Sequence, residues 1–209
     1  MNLDTTARAN LADRILSRLA EAAPESEALL RGSLAEARAD RYSDIDVLWE
    51  IPDSCFQSCV DNIAAILSRI QPIDSVRSAP DFQNSRKRRL LFIRFEAVPL
   101  FWRLNLEVFA KSIQKDKNYD VNNPEAQGSD GSLSENVLAN VVATVKAHLR
   151  RDDAEALSLL LHAYQCIGLP VPEYELKWLI LRLINSVRII DPQNSFLARK
   201  VENLVVEVF

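Results

Sequence analysis

The stretch Ser43–Ile51, SDIDVLWEI, limits the possible folds more than any other part of the chain. Ile45, Val47, Trp49 and Ile51 alternate with Asp44, Asp46, Leu48 and Glu50. Period two with β-branched members predicts a strand buried on one side. Successive side chains point to opposite faces, so Asp44 and Asp46 share the other face, about 5–7 Å apart at the rise of a strand. A strand buried on one side needs partner strands and a covering layer. The flanking segments supply both kinds of element.

Before it, residues 4–22 carry Leu11, Ile15 and Leu19 at helical spacing, with Asp4 placed to cap and Pro24 to stop. Ala28–Leu30 is a short apolar run ending at Gly32, read as a strand. After it, Phe56, Val60, Ile63, Leu67 and Ile70 predict a helix over 53–70. Strands are expected at 73–77, 88–98 and 103–110, with a tight, partly buried turn at Pro99–Trp102. Residues 111–132 are rich in Asn, Asp, Gly and Ser and read as a linker or long loop. Four helical segments follow. Ser132 with Glu135 forms a capping box, Asp152 with Glu155 starts the second helix, Gly168 stops it, and Asp191-Pro192 ends the third. The expected architecture is an α+β (α/β) domain with a small mixed sheet over 1–112, a connection over 113–132, and an all-α four-helix bundle over 133–209.

Composition closes off other classes. The chain is 48% hydrophobic and 26% charged with four glycines, which excludes global disorder and a collagen-like fibre. Its apolar runs fall far short of the roughly 20 residues of a membrane span. The start lacks an apolar core, so no secretory signal is expected. Three cysteines, Cys55, Cys59 and Cys166, predict no disulfide framework and a cytoplasmic location. The net charge of −4 argues against nucleic acid as the main partner. Residues 1–112 carry 15 basic and 16 acidic side chains and residues 113–209 carry 10 and 13, so the helical part is the more acidic and suits a cationic acceptor. Arg86-Lys87-Arg88-Arg89 reads as a solvated loop before a strand. No GxxxxGK[ST] and no GxGxxG occurs, which excludes P-loop and Rossmann sites.

Chemistry concentrates in LLRGSLAEARADRYSDIDVLWEI. Two carboxylates this close repel each other and favour a hard divalent cation, with Mg²⁺ the usual choice beside phosphates. A Gly32-Ser33 turn at a strand end allows close backbone approach and adds a hydroxyl, which suits a phosphate. Together these point to phosphoryl or nucleotidyl transfer.

An apolar run, Gly32-Ser33, about ten residues and then Asp44-Ile45-Asp46 resembles the nucleotidyltransferase superfamily related to polymerase beta. The helical part is similar to the carboxy-terminal domain of small bacterial members, those like antibiotic nucleotidyltransferases. The resemblance implies that Gly32 and Ser33 contact the phosphates of a nucleoside triphosphate and that Asp44 and Asp46 bind Mg²⁺. It further implies a third acid in RLNLEVFA, where close relatives would read Arg-x-Asp-Leu-Glu. Here Asn105 stands at the Asp place and Glu107 two residues on, both on one sheet face with Arg103. Glu107 as third ligand keeps a three-acid metal site; Asn105 at the family position removes a charge and any general base. Arg103 is a candidate partner for the carboxylates or for a phosphate. The implied reaction transfers a nucleoside monophosphate from an NTP, with ATP the expected donor, to a hydroxyl of a small molecule or protein. The alternative is a catalytically degenerate nucleotide-binding or antitoxin-like interaction module.

Overall fold

The computed structural model describes residues 3–115, 118–129 and 133–209, and the chain divides into two compact units, Asn2–Asp130 and Gly131–Phe209.

The first unit is mixed α+β. Helix α1 (Thr5–Ala22) is capped by Asp4, whose carboxylate accepts from the Thr6 amide at 2.9 Å. Strand β1 (Glu27–Arg31) leads into a four-residue helix α2 (Gly32–Ala35), where the sequence had suggested only loop. Strand β2 (Ile45–Ile51) is followed by a 3-10 turn at Asp53–Cys55 and two short helices, α3 (Phe56–Asp61) and α4 (Ile63–Ser68). The single helix expected over 53–70 is thus broken at Asn62. Its side-chain Nδ2 takes the Ser58 carbonyl at 2.8 Å, competing with the helical backbone ladder. Strands β3 (Ile73–Ser78), β4 (Arg88–Phe95) and β5 (Leu104–Ala110) complete a five-stranded sheet in the order β1-β2-β5-β4-β3. Only β2 and β5 run parallel; the other pairings are antiparallel.

One face of this sheet is the core. Ile45, Val47, Trp49 and Ile51 of β2 join Leu104, Leu106 and Val108 of β5 and Leu91, Ile93 and Phe95 of β4. Leu11, Ile15 and Leu19 of α1 and Phe56, Ile63 and Leu67 of α3 and α4 cover them. Burying this many large apolar side chains is the main favourable contribution to folding of the unit. On the other face β4 and β5 present half-buried residues at every second position.

The polar segment 111–129 also packs on this unit. Ile113 and Ala126 are buried, the Ala126 carbonyl accepts from the Asn84 amide at 2.9 Å, and the Gly128 amide donates to the Pro80 carbonyl at 2.9 Å. The four-residue basic run is a solvated loop only at its start: Arg86 is exposed in a bend, while Arg88 and Arg89 open β4. Arg89 is buried, with its Nη1 donating to the carbonyls of Phe82, Ser85 and Arg88, while Arg88 lies over Phe82 and Phe109 and Lys87 over Tyr119. The aromatic rings facing this run desolvate it, which charge patterning alone does not register.

Among the described residues the second unit holds four α-helices, α5 (Leu133–Leu149), α6 (Asp153–Cys166), α7 (Leu176–Ile190) and α8 (Ser195–Val208), with a 3-10 turn at Pro192–Asn194 before the last. Asp152 caps α6 through the Glu155 amide at 3.1 Å, and Gly168 ends it at φ +66°. Val137, Val141, Leu160, Ile180, Leu183, Val187, Val201 and Val205 fill the interior. The buried Tyr164 hydroxyl donates to the Leu179 carbonyl at 2.8 Å. The capping box expected at Ser132 and Glu135 involves Ser132, which lies outside the described residues. No helix among the described residues is long and apolar enough to cross a membrane.

Candidate functional site

The two aspartates reach one place by different routes. Asp46 is the second residue of β2, on the face away from the helices, opposite Arg31 of β1 and Asn105 of β5. Asp44 lies one residue before the strand, whereas the alternation had placed it within a strand over 43–51. The loop that delivers it is fixed from below. The buried Arg8 Nη1 donates to the carbonyls of Asp40 (2.5 Å) and Ser43 (2.9 Å), and Trp102 Nε1 donates to the Arg41 carbonyl (2.8 Å). The Asp40 carboxylate accepts from the Tyr42 amide and the Ser43 hydroxyl, both at 2.9 Å. Burial lowers the Arg8 pKa, with Asp40 opposing, so a charged group is held inside to tether this loop.

Gly32 lies immediately beside them. Its φ is +59°, and a Cβ there would sit 2.6 Å from Asp46 Oδ2. Glycine is needed twice over, for a left-handed backbone and for the approach of the carboxylate. Ser33 follows within α2, which is closed by the Glu36 amide on the Gly32 carbonyl (3.1 Å) and the Arg38 amide on the Ser33 carbonyl (2.9 Å).

Asn105 joins the carboxylates. Its Nδ2 donates to Asp46 Oδ1 at 2.7 Å and to Asp44 Oδ2 at 3.3 Å, while its Oδ1 accepts from Arg103 Nε at 2.8 Å. Arg103 Nη2 is 3.9 Å from Asp44 Oδ2, and its guanidinium lies over the Phe92 ring at 4.5 Å. Burial, with the nearby charges of Arg77 and Arg94, pushes Arg103 down to about 10, and Asp46 opposes this; the group stays cationic at neutral pH. Glu107 stands one strand repeat further along, opposite Leu48 and Leu90. It lines the same cavity of about 290 Å³ as Gly32, Asp46, Asn105, Leu90 and Phe92. Among the described residues no three His, Cys, Asp or Glu side chains gather as a metal cluster.

The structure therefore brings Gly32, Asp44, Asp46, Asn105 and Arg103 together and sets Glu107 along the wall. Arg8, Phe92, Arg77 and Arg94 were not singled out from sequence. Arg8 had a signal, since it precedes Leu11 by three and Ile15 by seven and so falls on the apolar stripe of α1. The other three depend on strand register, which the sequence does not state.

No family model matches the chain, and no curated protein matches it. Among solved structures, one described as the GLD-2/RNP-8 complex is 16% identical, over 86% of this chain and 76% of that one, with a TM-score of 0.38. A cytoplasmic RNA terminal U-transferase is 18% identical, over 68% of this chain and 38% of its own length, with a TM-score of 0.33. At these identities and scores neither likeness bears on activity, and the functional reading rests on the side chains themselves.

Proposed function

We propose that the chain is a Mg²⁺-dependent nucleotidyltransferase. It would move a nucleoside monophosphate from an NTP, ATP in the first instance, to a hydroxyl of a small molecule or protein and release pyrophosphate. One observation carries this reading: the Gly32 turn closes onto the Asp46 carboxylate, beside a cavity large enough for part of a nucleotide. Mg²⁺ commonly takes one or two carboxylates and leaves its remaining positions to water and phosphates, so Asp44 and Asp46 fit a single ion. When bound, that ion neutralises triphosphate charge and polarises the reacting phosphoryl group. The Gly32-Ser33 turn lets the backbone approach the phosphates. As the acceptor oxygen bonds to the α-phosphorus and pyrophosphate leaves, the hydroxyl must lose its proton. Asn105 is neutral and takes none. Glu107, in the same cavity, is the carboxylate left for that part.

Asn105 also favours a second reading. Arg103 Nε on its oxygen orients the amide so that its NH₂ faces both carboxylates. Turning the oxygen toward a cation would set that NH₂ against Arg103. A second ion would then meet two anionic ligands instead of three. On this reading the chain binds nucleotide but turns over weakly, and acts as a nucleotide-binding or antitoxin-like interaction module.

Thermal unfolding with each NTP and Mg²⁺ tests the shared part. ATP with Mg²⁺ is expected to raise the Tm of the wild type and not that of the Asp44→Ala, Asp46→Ala double variant. No shift with any NTP would sink both readings. Pyrophosphate release over a panel of acceptors separates them: turnover in the wild type supports the enzyme, and turnover in Asn105→Asp alone supports the weakened site.

A further inference from the structure

The sheet face that carries the carboxylates continues into a cluster of arginines. Asp46, Asn105, Phe92 and Arg77 form one row across β2, β5, β4 and β3. The Ile93↔Leu104 pairing puts Arg94 and Arg103 on the same face one row away. The guanidinium groups of Arg77 and Arg103 lie over the same Phe92 ring, at 4.8 and 4.5 Å. Arg94 Nε is 3.6 Å from Asp74 Oδ2. Arg77 and Arg94 both lie near enough to Arg103 to disfavour its charge. Three guanidinium groups on one half-buried floor repel each other, and their planar forks match the oxygens of a phosphate.

The position of the cluster matters as much as its charge. Gly32 borders Asp46 from the β1 side, and the arginines approach from the β5 side. Phe92 is two strand spacings, about 10 Å, from Asp46. If the donor's triphosphate sits at Gly32-Ser33, an anion on the far side belongs to the acceptor. We infer that Arg77, Arg94 and Arg103 form a second phosphate site, and that the acceptor is a small phosphomonoester whose hydroxyl reaches Asp46 while its phosphate rests on the arginines. The acceptor role rests on the nucleotidyltransferase reading; the phosphate site does not. Three arginines grouped around one ring suit a single phosphate, whereas a nucleic acid calls for a track of basic residues. This replaces the cationic acceptor that the acidic helical part had suggested.

The test is calorimetric titration of the full chain with inorganic phosphate and with ribose 5-phosphate. Each titration is run with and without a saturating non-hydrolysable ATP analogue and Mg²⁺. Both probes are expected to bind equally well when the analogue is present. Arg77→Gln should weaken them about fivefold or more, as expected for losing one charged hydrogen-bonding partner, and change the analogue's affinity by less than about twofold. Arg77→Lys, which keeps the charge, should retain most of the binding and so separates charge from packing. Asp74→Asn should tighten both probes by freeing Arg94 for the phosphate. Displacement of phosphate by the analogue would overturn the inference, since the arginines would then serve the donor's triphosphate. So would an unchanged affinity in Arg77→Gln, or binding of hexauridylate more than about tenfold tighter than ribose 5-phosphate. Failure of the analogue to bind, with phosphate binding intact, would overturn the nucleotidyltransferase reading and leave the phosphate site standing.

Discussion

The two faces of the five-stranded sheet are made from the same strands, one residue in two on each side. On the helix side Ile45, Val47, Trp49, Leu104, Leu106 and Ile93 are buried among apolar side chains. On the other side Asp46, Asn105, Phe92 and Arg77 form a half-buried row linked by hydrogen bonds and ring contacts. The first face gains stability from area removed from water. The second gathers charged groups, Asp44 and Asp46 at one end and Arg77, Arg94 and Arg103 at the other, with Asp74 beside Arg94, and charges held half-buried contribute less to stability than buried apolar area. Fold and site therefore answer to different substitutions.

The largest expected effect is on the helix side. Trp49 is fully buried, and Trp49→Ala should cost about 3–5 kcal/mol in denaturant unfolding. Asp46→Asn, one strand position from Ile45 and Val47, should change stability by less than about 1 kcal/mol, because it relieves repulsion with Asp44. It should nonetheless lose the Tm shift with ATP and Mg²⁺. Comparable destabilisation by both variants would erase the distinction between the faces.

Two glycines sharpen the contrast. Gly32 and Gly168 both have positive φ, +59° and +66°, and an alanine at either is strained by about 1–2 kcal/mol. A Cβ at Gly168 meets nothing within 4 Å, whereas at Gly32 it meets the Asp46 carboxylate. Gly168→Ala should therefore lower the Tm and leave nucleotide binding unchanged. Gly32→Ala should lower the Tm and abolish that binding. Equal retention of binding in both would remove Gly32 from the site.

Asn105→Asp probes the charge of the polar face with a smaller effect, about 1 kcal/mol of destabilisation at neutral pH without metal. A third carboxylate within hydrogen-bond distance of Asp46 has a folded pKa raised above its unfolded value. Its penalty is absent below the unfolded pKa of about 3.9 and grows as pH rises through the folded value. The variant should approach wild-type stability in acid, and Mg²⁺ should restore it at neutral pH. A penalty independent of pH and of Mg²⁺ would mean that packing, not charge, is at fault.

The two faces were also unequally legible. Ile45, Val47, Trp49 and Ile51 declare the buried face by alternation alone, β4 and β5 do the same, and α1 declares itself by helical spacing. Gly32, Asp44 and Asp46 could be read because they are near each other in sequence and their residue types are chemically narrow. Asn105, Glu107 and Arg103 could be read from the resemblance, whereas Arg77, Phe92 and Arg94 could not, since they come from β3 and β4 and approach Asn105 and Arg103 only through register. Register is set by the whole sheet, including the β3 irregularity between Ile73 and Ser75. Arg89 misled for a related reason: in a basic run it looks solvated, and only the packing of Phe56 and the 82–85 carbonyls reveals that it is buried.

The smallest expected effect lies at the edge of both faces. Asp53, just after β2, accepts from the Ser112 amide at 3.1 Å and from its hydroxyl, just after β5, tying the ends of the two parallel strands. The Ser112 hydroxyl bond is the main cause that holds the Asp53 pKa below the ordinary carboxylate value; burial opposes it and Lys87 adds to the lowering. A depressed folded pKa contributes stability that is present above the unfolded pKa, about 3.9, and is lost as pH falls through the folded one. Asp53 is exposed, so this contribution is small and screened by salt. Acid unfolding of Asp53→Asn beside wild type should show the two differing slightly at pH 6 and converging toward pH 3. The difference should shrink in high salt. A gap that persists at pH 3 would assign Asp53 a packing role instead, and would show that the ends of β2 and β5 are joined by shape, not by charge.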